Sequence, residues 1–352
     1  MLSTEIETFK GFMEIEERSH HTIRQYLDIL DWFENFLRES NIPLESLKEK
    51  DLMRFQIWLK KRYLERKFFK KFNKKPSKQE LENFSLKAKG LSGKSIYKYL
   101  TVIKKFLEVN DFHLNWTRVP SPKVDDDFNP NILTKADIQK IANTAANYCT
   151  YQHQTVTVED CTNCRKYREP KNPRAAAQRK YPQVCFYFEG VKLKTMILLA
   201  YEAALRTGEL CKLLRKHVDL HDREVFIQKP LKHSQPQAIP ISNSLVKLLK
   251  EYLQAANIPK DDGSVLFPTK TGKVYHPNNF ASHVFRPIAR AAGYDVRYYS
   301  LRHSRATNLL LEGLDVGWVR RITRHKNINN VLKYIHLTSK DIRKEMEKRD
   351  LL

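Results

Sequence analysis

The chain has 352 residues, 41% of them hydrophobic, and a formal net charge of +23. At about 150 residues per domain this length predicts two domains, and the charge favours a nucleic-acid partner over an anionic membrane surface. No apolar run approaches the ~20 residues that span a bilayer, and the first residues lack an apolar signal segment, so we expect an intracellular protein.

Residues 1–115 are predicted to form a helical domain. After Thr22, apolar residues recur with helical spacing, and Thr22 is expected to cap this helix. The segment 67–78 is basic with interleaved phenylalanines, which is typical either of a helix end that meets phosphates or of a solvated face with buried rings. Residues 116–131 contain three prolines and an acidic run, and predict a linker.

A second domain is predicted over residues 132–352, opened by a capping box of Thr134 and Asp137. The strand-like runs 225–227 and 238–241 flank a polar stretch and predict a β-hairpin. Cys211 lies in an apolar stretch and is expected to be a small core residue.

Four cysteines mark an unusual segment at about 149–190. Cys149, Cys161, Cys164 and Cys185 could hold a structural zinc ion as four thiolates, and His153 could replace one of them. Disulfides and free buried thiols remain the alternatives.

Four segments supply the chemistry for breaking a phosphodiester without a metal. That reaction needs fixed cations around the phosphoryl oxygens, an acid for the leaving 5′ oxygen, and a side-chain nucleophile if the bond energy is to be kept. Arginine suits the first role because its planar fork binds two oxygens. The segments are 204–210 (ALRTGEL), 229–241 with its two lysines, 299–307 (YSLRHSRAT) and 323–334 (from TRH to a tyrosine).

This ordered set resembles the tyrosine recombinase family of phage integrases and Xer-type recombinases, over about residues 134–352. The helical N-terminal region looks like that family's SAM-like core-binding domain. The resemblance implies a mainly α fold: two domains that clamp duplex DNA, with a small antiparallel β-sheet or hairpin in the C-terminal catalytic domain.

The resemblance also assigns site residues. Arg206 and Arg302 match the two phosphate-clamping arginines, and His325 matches a histidine that hydrogen-bonds the scissile phosphate. Lys232, rather than Lys229, matches the lysine that protonates the leaving oxygen. Tyr334 matches the nucleophile.

Two positions depart from the family pattern. Tyr299 stands where the family commonly has histidine, so we predict a phosphate contact there but no base. Arg324 replaces a glycine, which costs backbone freedom or adds a phosphate contact. Glu209 is expected to support an arginine, and His303 to be a hydrogen-bonding core histidine.

The implied function is site-specific DNA recombination through a 3′-phosphotyrosyl intermediate on Tyr334. No cofactor is implied for this chemistry, and the expected partner is double-stranded DNA, bound by a homotetramer. An integrase of a virus, plasmid or other mobile element fits this description. Two alternatives stay open: a DNA-relaxing enzyme of the type IB kind that nicks and reseals, and a DNA-binding protein that no longer cleaves.

Overall fold

The computed structural model describes residues 2–124, 130–149, 154–155, 190–228, 236–256, 258–259, 263–269, 271–335, 343 and 346–347. The chain divides into two compact units, Met1–Asp127 and Phe128–Leu352. Each unit has its own hydrophobic core.

The first unit is built from helices. They are α1 (Ser3–Ile15), α2 (His20–Glu39), α3 (Glu49–Phe72), α4 (Lys78–Lys87) and α5 (Gly93–Val109). The predicted cap of α2 was wrong: the helix begins at His20, and the Ser19 hydroxyl accepts the backbone N–H of Thr22. Because serine caps as well as threonine does, apolar periodicity alone misplaced the start by one turn.

The basic segment 67–78 contains a helix end. Helix α3 continues to Phe72, and Asn73 ends it in the left-handed conformation. Phe68 is buried, with ring centroids 4.6 Å from Phe72 and 5.3 Å from Phe84. The interleaved phenylalanines therefore fasten α3 to α4.

The second unit is also mainly helical. Among the described residues its main helices are α6 (Lys135–Ala146), α7 (Gly190–Glu202), α8 (Thr207–Cys211), α9 (Asn243–Ala256), α10 (Arg286–Ala291), α11 (Tyr299–Leu311), α12 (Val316–Thr323) and α13 (Asn329–Leu332). A π-helical turn, Phe280–Phe285, leads into α10. The predicted capping box is confirmed, because Thr134 and Asp137 exchange hydrogen bonds at the start of α6.

Two short sheets complete this unit. Strands β1 (Tyr148–Cys149) and β2 (Gln154–Thr155) pair antiparallel, and a second sheet has the order β3 (Val218–Asp219), β4 (Glu224–Ile227), β5 (Gln237–Pro240). The predicted hairpin is confirmed by the antiparallel pairing of β4 with β5, in which Val225 lies opposite Ile239. Strand β3 was not foreseen because it is only two residues long.

The core of the second unit holds α7 at its centre, with Leu193, Met196, Leu199 and Ala200 all buried. A smaller cluster joins α11, α12 and α13, and it includes Val319, Val331 and Tyr334. The expected fold class, mainly α with a small antiparallel sheet, is confirmed. Among the described residues, no helix is both long and apolar enough to cross a membrane.

Candidate active site

Arg206 precedes helix α8 and is 5% exposed. Its backbone N–H donates to Glu209 Oε2 at 2.8 Å, and its guanidinium Nη1 donates to Glu209 Oε1 at 2.7 Å. Its Nη2 donates to the carbonyl of Arg324 at 3.2 Å. One carboxylate therefore fixes both the start of the helix and the guanidinium plane.

Arg324 follows α12 in the left-handed conformation, with φ 54°, and is 3% exposed. Its guanidinium donates to Glu209 Oε2 at 2.8 Å and to the carbonyls of Ala203 and Ala204 at 3.0 and 2.9 Å. The side chain is thus turned into the protein. Replacing glycine by arginine was expected to cost backbone freedom or to add a phosphate contact. The structure shows a backbone cost, because Arg324 has a positive φ, and its guanidinium binds Glu209.

Arg302 lies on α11 and is 2% exposed. Its Nη1 donates to the Ala204 carbonyl at 2.6 Å, and its Nη2 donates to the Thr323 carbonyl. The carbonyls of residues just beyond α7 thus attract two guanidinium groups, as the negative end of a helix does.

His325 completes this cationic cluster. Its Nε2 lies 3.3 Å from Nη2 of Arg302, and its Nδ1 lies 2.8 Å from the Thr323 hydroxyl. Because arginine can only donate, Nε2 accepts, and the ring proton of neutral His325 belongs on Nδ1.

The Tyr334 hydroxyl points into the same cluster. Tyr334 is 4% exposed, and its ring centroid lies 6.1 Å from that of His325. Its Oη lies 2.9 Å from Nδ1 of His303, which also lies on α11. The core contacts of Val319 and Val331 fix the position of the tyrosine.

The electrostatics of the cluster follow from burial and from crowded cations. Burial, together with Arg206 and Arg324, lowers the pKa of Arg302 to about 9, so the guanidinium keeps its charge at neutral pH. Burial and the nearby arginines lower the pKa of His325 to about 3. Burial raises the pKa of Tyr334, against the effect of Arg302 and Arg206. At neutral pH the phenol is therefore protonated.

The structure brings together Arg206, Arg302, His325 and Tyr334 of the predicted site. Tyr299 begins α11, is 44% exposed, and its ring centroid lies 6.1 Å from that of His303. Lys229 and Lys232 lie outside the described residues, between strands β4 and β5.

The predicted cysteine site also falls outside what the structure describes. Cys161, Cys164, Cys185 and His153 are not among the described residues, and of Cys149 only the backbone is described, in β1. Over the described ranges, no three His, Cys, Asp or Glu residues form a group suited to a metal ion.

A basic cleft of about 770 Å³ adjoins the cluster. It is lined by Arg320, Arg321, Lys326 and His325 on one side and by Pro236 and Gln237 next to the hairpin. The cleft therefore offers positive charge between the hairpin and the guanidinium cluster, which suits a polyanion.

Two contacts in the candidate active site were not predicted from the sequence. His303 was expected to be a core histidine, yet its partner is the Tyr334 hydroxyl, and its place one helical turn after Tyr299 was the available signal. The burial of Arg324 against Glu209 joins residues 115 positions apart, which no local pattern reveals.

Two sequence families match this chain. The Phage integrase family matches residues 182–341, and the N-terminal SAM-like domain of phage integrases matches residues 6–71.

Curated relatives include several Xer proteins. The tyrosine recombinase XerA of Thermococcus kodakarensis is 29% identical over 161 residues, which is 45% of this chain and 56% of that protein. XerA of Pyrococcus furiosus is 23% identical over 99% of this chain and 94% of its own length. XerC of Escherichia coli is 30% identical over 42% of this chain and 49% of that protein. The Thermococcus kodakarensis and Escherichia coli matches thus span about half of each relative.

Solved structures share the fold. The XerH site-specific recombinase bound to difH substrate aligns with a TM-score of 0.57 and 16% identity, covering 92% of this chain and 78% of that one. A lambda integrase dimer bound to a COC′ core site aligns with a TM-score of 0.58 and 13% identity. This alignment covers 95% of this chain and 76% of the lambda integrase chain. The family matches, the relatives and the fold agree with the residues that meet around Tyr334: the chain belongs to the tyrosine recombinase family.

Proposed function

We propose that this protein cuts DNA at a specific site and rejoins it to another strand, through a 3′-phosphotyrosyl intermediate on Tyr334. One observation carries the proposal: the Tyr334 hydroxyl belongs to the same buried cluster as Arg206 and Arg302, which come from distant segments of the chain. A buried phenol near two guanidinium groups suits attack on a phosphate diester, since the groups that balance the transition-state charge are already in place.

The two arginines bind the scissile phosphate. Glu209 holds Arg206, and backbone carbonyls hold Arg302, so both guanidinium planes are set before DNA arrives. Such preorganisation avoids the cost of reorienting charges during the reaction. Arg324 contributes by holding Glu209, whose other carboxylate oxygen holds Arg206.

His325 contacts a phosphate oxygen only after its proton arrangement changes. In the described state Nε2 accepts from Arg302, and a phosphate contact through Nε2 requires a proton on that atom. A bound phosphate favours this change, because a nearby negative charge raises the pKa of the imidazole.

Bond making and breaking then balance as follows. Tyr334 Oη gives up its proton to a base in the site and forms a bond to phosphorus while the bond from phosphorus to the 5′ oxygen breaks. Lys232, in the segment between β4 and β5, gives its proton to the leaving oxygen and so yields a free 5′ hydroxyl. A 5′ hydroxyl from another strand reverses these steps and releases the tyrosine.

We further propose that double-stranded DNA is bound by both units and that strand exchange occurs in a homotetramer inside the cell. The lambda integrase and XerH structures that share this fold hold DNA, and the basic cleft beside His325 fits that partner. The cysteine segment binds a structural zinc ion, while the chemistry itself uses no cofactor.

A nicked suicide substrate tests the proposed function. Incubation without divalent metal should give a covalent protein–DNA adduct with the unsubstituted protein and none with Tyr334→Phe, which keeps the ring and removes only the attacking oxygen. Strand transfer to a second duplex then separates recombination from simple relaxation of supercoiled DNA. Binding without any adduct would reduce the protein to a DNA-binding role and contradict the proposal.

A further inference from the structure

His303 lies directly against the proposed nucleophile. Its Nδ1 is 2.9 Å from the Tyr334 hydroxyl oxygen, and the two ring centroids are 5.5 Å apart. The residues are separated by 31 positions in sequence, so the tertiary packing of the segment after α13 on α11 creates this contact. The hydrogen-bond length suits transfer of the phenolic proton.

The neighbouring position lacks a base. The residue at 299, where the family resemblance leads us to expect histidine, is Tyr299, and phenols are poor proton acceptors near neutral pH. Positions 299 and 303 lie one helical turn apart on the same face of α11, and their ring centroids are 6.1 Å apart. The next turn of the same helix therefore supplies an imidazole, and this imidazole contacts the Tyr334 hydroxyl.

We propose that His303 is the general base of the reaction and takes the proton from Tyr334 as the tyrosine oxygen attacks phosphorus. This assignment rests on the proposed function, in which Tyr334 is the nucleophile. It makes His303 a catalytic residue, because it touches a reacting atom.

The surroundings of His303 keep it neutral and ready to accept. Burial and the adjacent Arg302 lower the pKa of His303 to about 4. Within the part of the chain that the structure describes, the titratable groups around it include Arg302 and Tyr299 on its own helix, Tyr334 from the segment after α13, and His325 from the loop after α12. A bound phosphate diester brings negative charge to Arg302 and offsets the guanidinium, which moves the pKa of His303 toward neutrality and improves it as a base.

The proton balance closes within the site. The phenolic proton moves to Nδ1 of His303, which requires the ring proton of the resting imidazole to lie on Nε2. The imidazolium keeps both protons while the phosphotyrosyl bond exists, and the Lys232 proton has gone to the leaving 5′ oxygen. When a 5′ hydroxyl attacks, neutral Lys232 takes the proton of that hydroxyl, and His303 returns its proton to the Tyr334 oxygen.

A glutamine at position 303 separates proton transfer from positioning. Asparagine places its amide where Nδ1 of histidine lies, and the longer glutamine side chain can reach the Tyr334 hydroxyl by a small adjustment, but neither amide can take up a proton. Single-turnover adduct formation by His303→Gln at pH 7 should be slower by about 10²- to 10⁴-fold, the usual contribution of a general base. Its rate should rise about tenfold per pH unit from pH 6.5 to 9, because solvent hydroxide must then remove the proton, whereas the unsubstituted protein should change little.

The matched control is His283→Gln, the same change at an exposed histidine of the π-helical turn. It should keep the unsubstituted rate and pH profile. If the His303→Gln protein melts below the assay temperature, His303→Asn carries the same comparison.

The outcomes distinguish the two proposals. A His303→Gln protein that forms adduct at the unsubstituted rate, or that is slowed by the same factor at every pH, would overturn the base assignment and leave Tyr334 as nucleophile. Absence of adduct from the unsubstituted protein would instead overturn the proposed function, and the role of His303 with it.

Discussion

Arg302 donates to two backbone carbonyls while it faces the site, and lysine cannot reproduce this. The planar fork of arginine reaches the Ala204 and Thr323 carbonyls together, whereas an ammonium group is a single point charge. Arg302→Lys should therefore slow adduct formation by about 10²- to 10³-fold, as the loss of one fixed donor to a transition state does. Single-turnover rates on the suicide substrate measure this.

Arg290→Lys is the control for that change, since Arg290 is an exposed partner of Asp295 and lies outside the cluster. It should react at the unsubstituted rate. An Arg302→Lys protein within a few-fold of the unsubstituted rate would show that the fork geometry is not needed.

Arg324 affects the stability of the protein in two opposing ways, through its backbone conformation and through its ion pair with Glu209. Arg324→Gly removes the strain of a positive φ, worth about 1 kcal/mol, but it also leaves buried Glu209 with one cation fewer, a loss of about 3 kcal/mol. We expect the variant to be less stable by about 2 kcal/mol in denaturant unfolding. Equal or greater stability in the glycine variant would contradict the role given to the Arg324–Glu209 ion pair.

Much of the residue-level site follows from sequence motifs, because short motifs keep the local spacing of reactive groups. Arg206, Arg302, His325 and Tyr334 were predicted to share one site, and the structure places them together. The pairing of His303 with Tyr334 depends on how α13 packs, and the burial of Arg324 depends on a carboxylate far away in sequence. Neither can be derived from local spacing.

At the level of secondary-structure elements, the proposed general acid belongs to the segment that joins two strands of the hairpin. Strands β4 and β5 hold the ends of the segment that carries Lys229 and Lys232, and Gln237 of β5 lines the basic cleft beside His325. A lysine that acts as the acid becomes dispensable if the leaving atom needs no proton. Sulfur in place of the leaving 5′ oxygen provides this, because thiols are far more acidic than alcohols.

Lys232→Ala should therefore cleave ordinary DNA slowly but cleave the 5′-bridging phosphorothiolate substrate at nearly the unsubstituted rate. Lys229→Ala is the matched control and should show no such selective recovery. The reverse pattern would move the acid to Lys229, and recovery in neither variant would remove both lysines from this role.

Element types were easier to predict than element boundaries. Strong apolar periodicity predicted α2, and two short strand-like runs on either side of a polar stretch predicted the β4–β5 hairpin. The start of α2 and the existence of β3 were missed, since both depend on one or two residues and on hydrogen bonds made only in the folded chain.

For the whole molecule, buried neutral histidines predict sensitivity to acid. The pKa values of His303 and His325 are lowered to about 4 and about 3, below the ordinary value of 6.5. Because the unfolded chain binds these protons first, stability is full above about pH 6.5 and falls as the pH drops from 6.5 toward 4. The melting temperature should follow this course, with a shallower slope in His325→Gln and an unchanged slope in His283→Gln. If the melting temperature falls equally steeply with pH in the unsubstituted protein and in both variants, the acid sensitivity does not come from His325 as predicted.

The cysteine segment yields a second prediction for the whole chain. If four thiolates bind zinc, the purified protein should carry about one zinc ion per chain, and all five cysteines should titrate as thiols after unfolding in a chelator. Disulfides would instead leave fewer thiols and no zinc. Cys211 should react only after unfolding, because burial raises the pKa of its thiol to about 12.

The most direct measurement locates the covalent bond itself. The protein–DNA adduct from the suicide substrate is digested with a protease and a nuclease, and the modified peptide is sequenced by mass spectrometry. We predict a single nucleotide-bearing peptide, modified at Tyr334 through a 3′-phosphate, and a cleaved strand that ends in a 5′ hydroxyl. An adduct on any other residue, or a 5′-phosphate linkage, would contradict the central role given to this tyrosine.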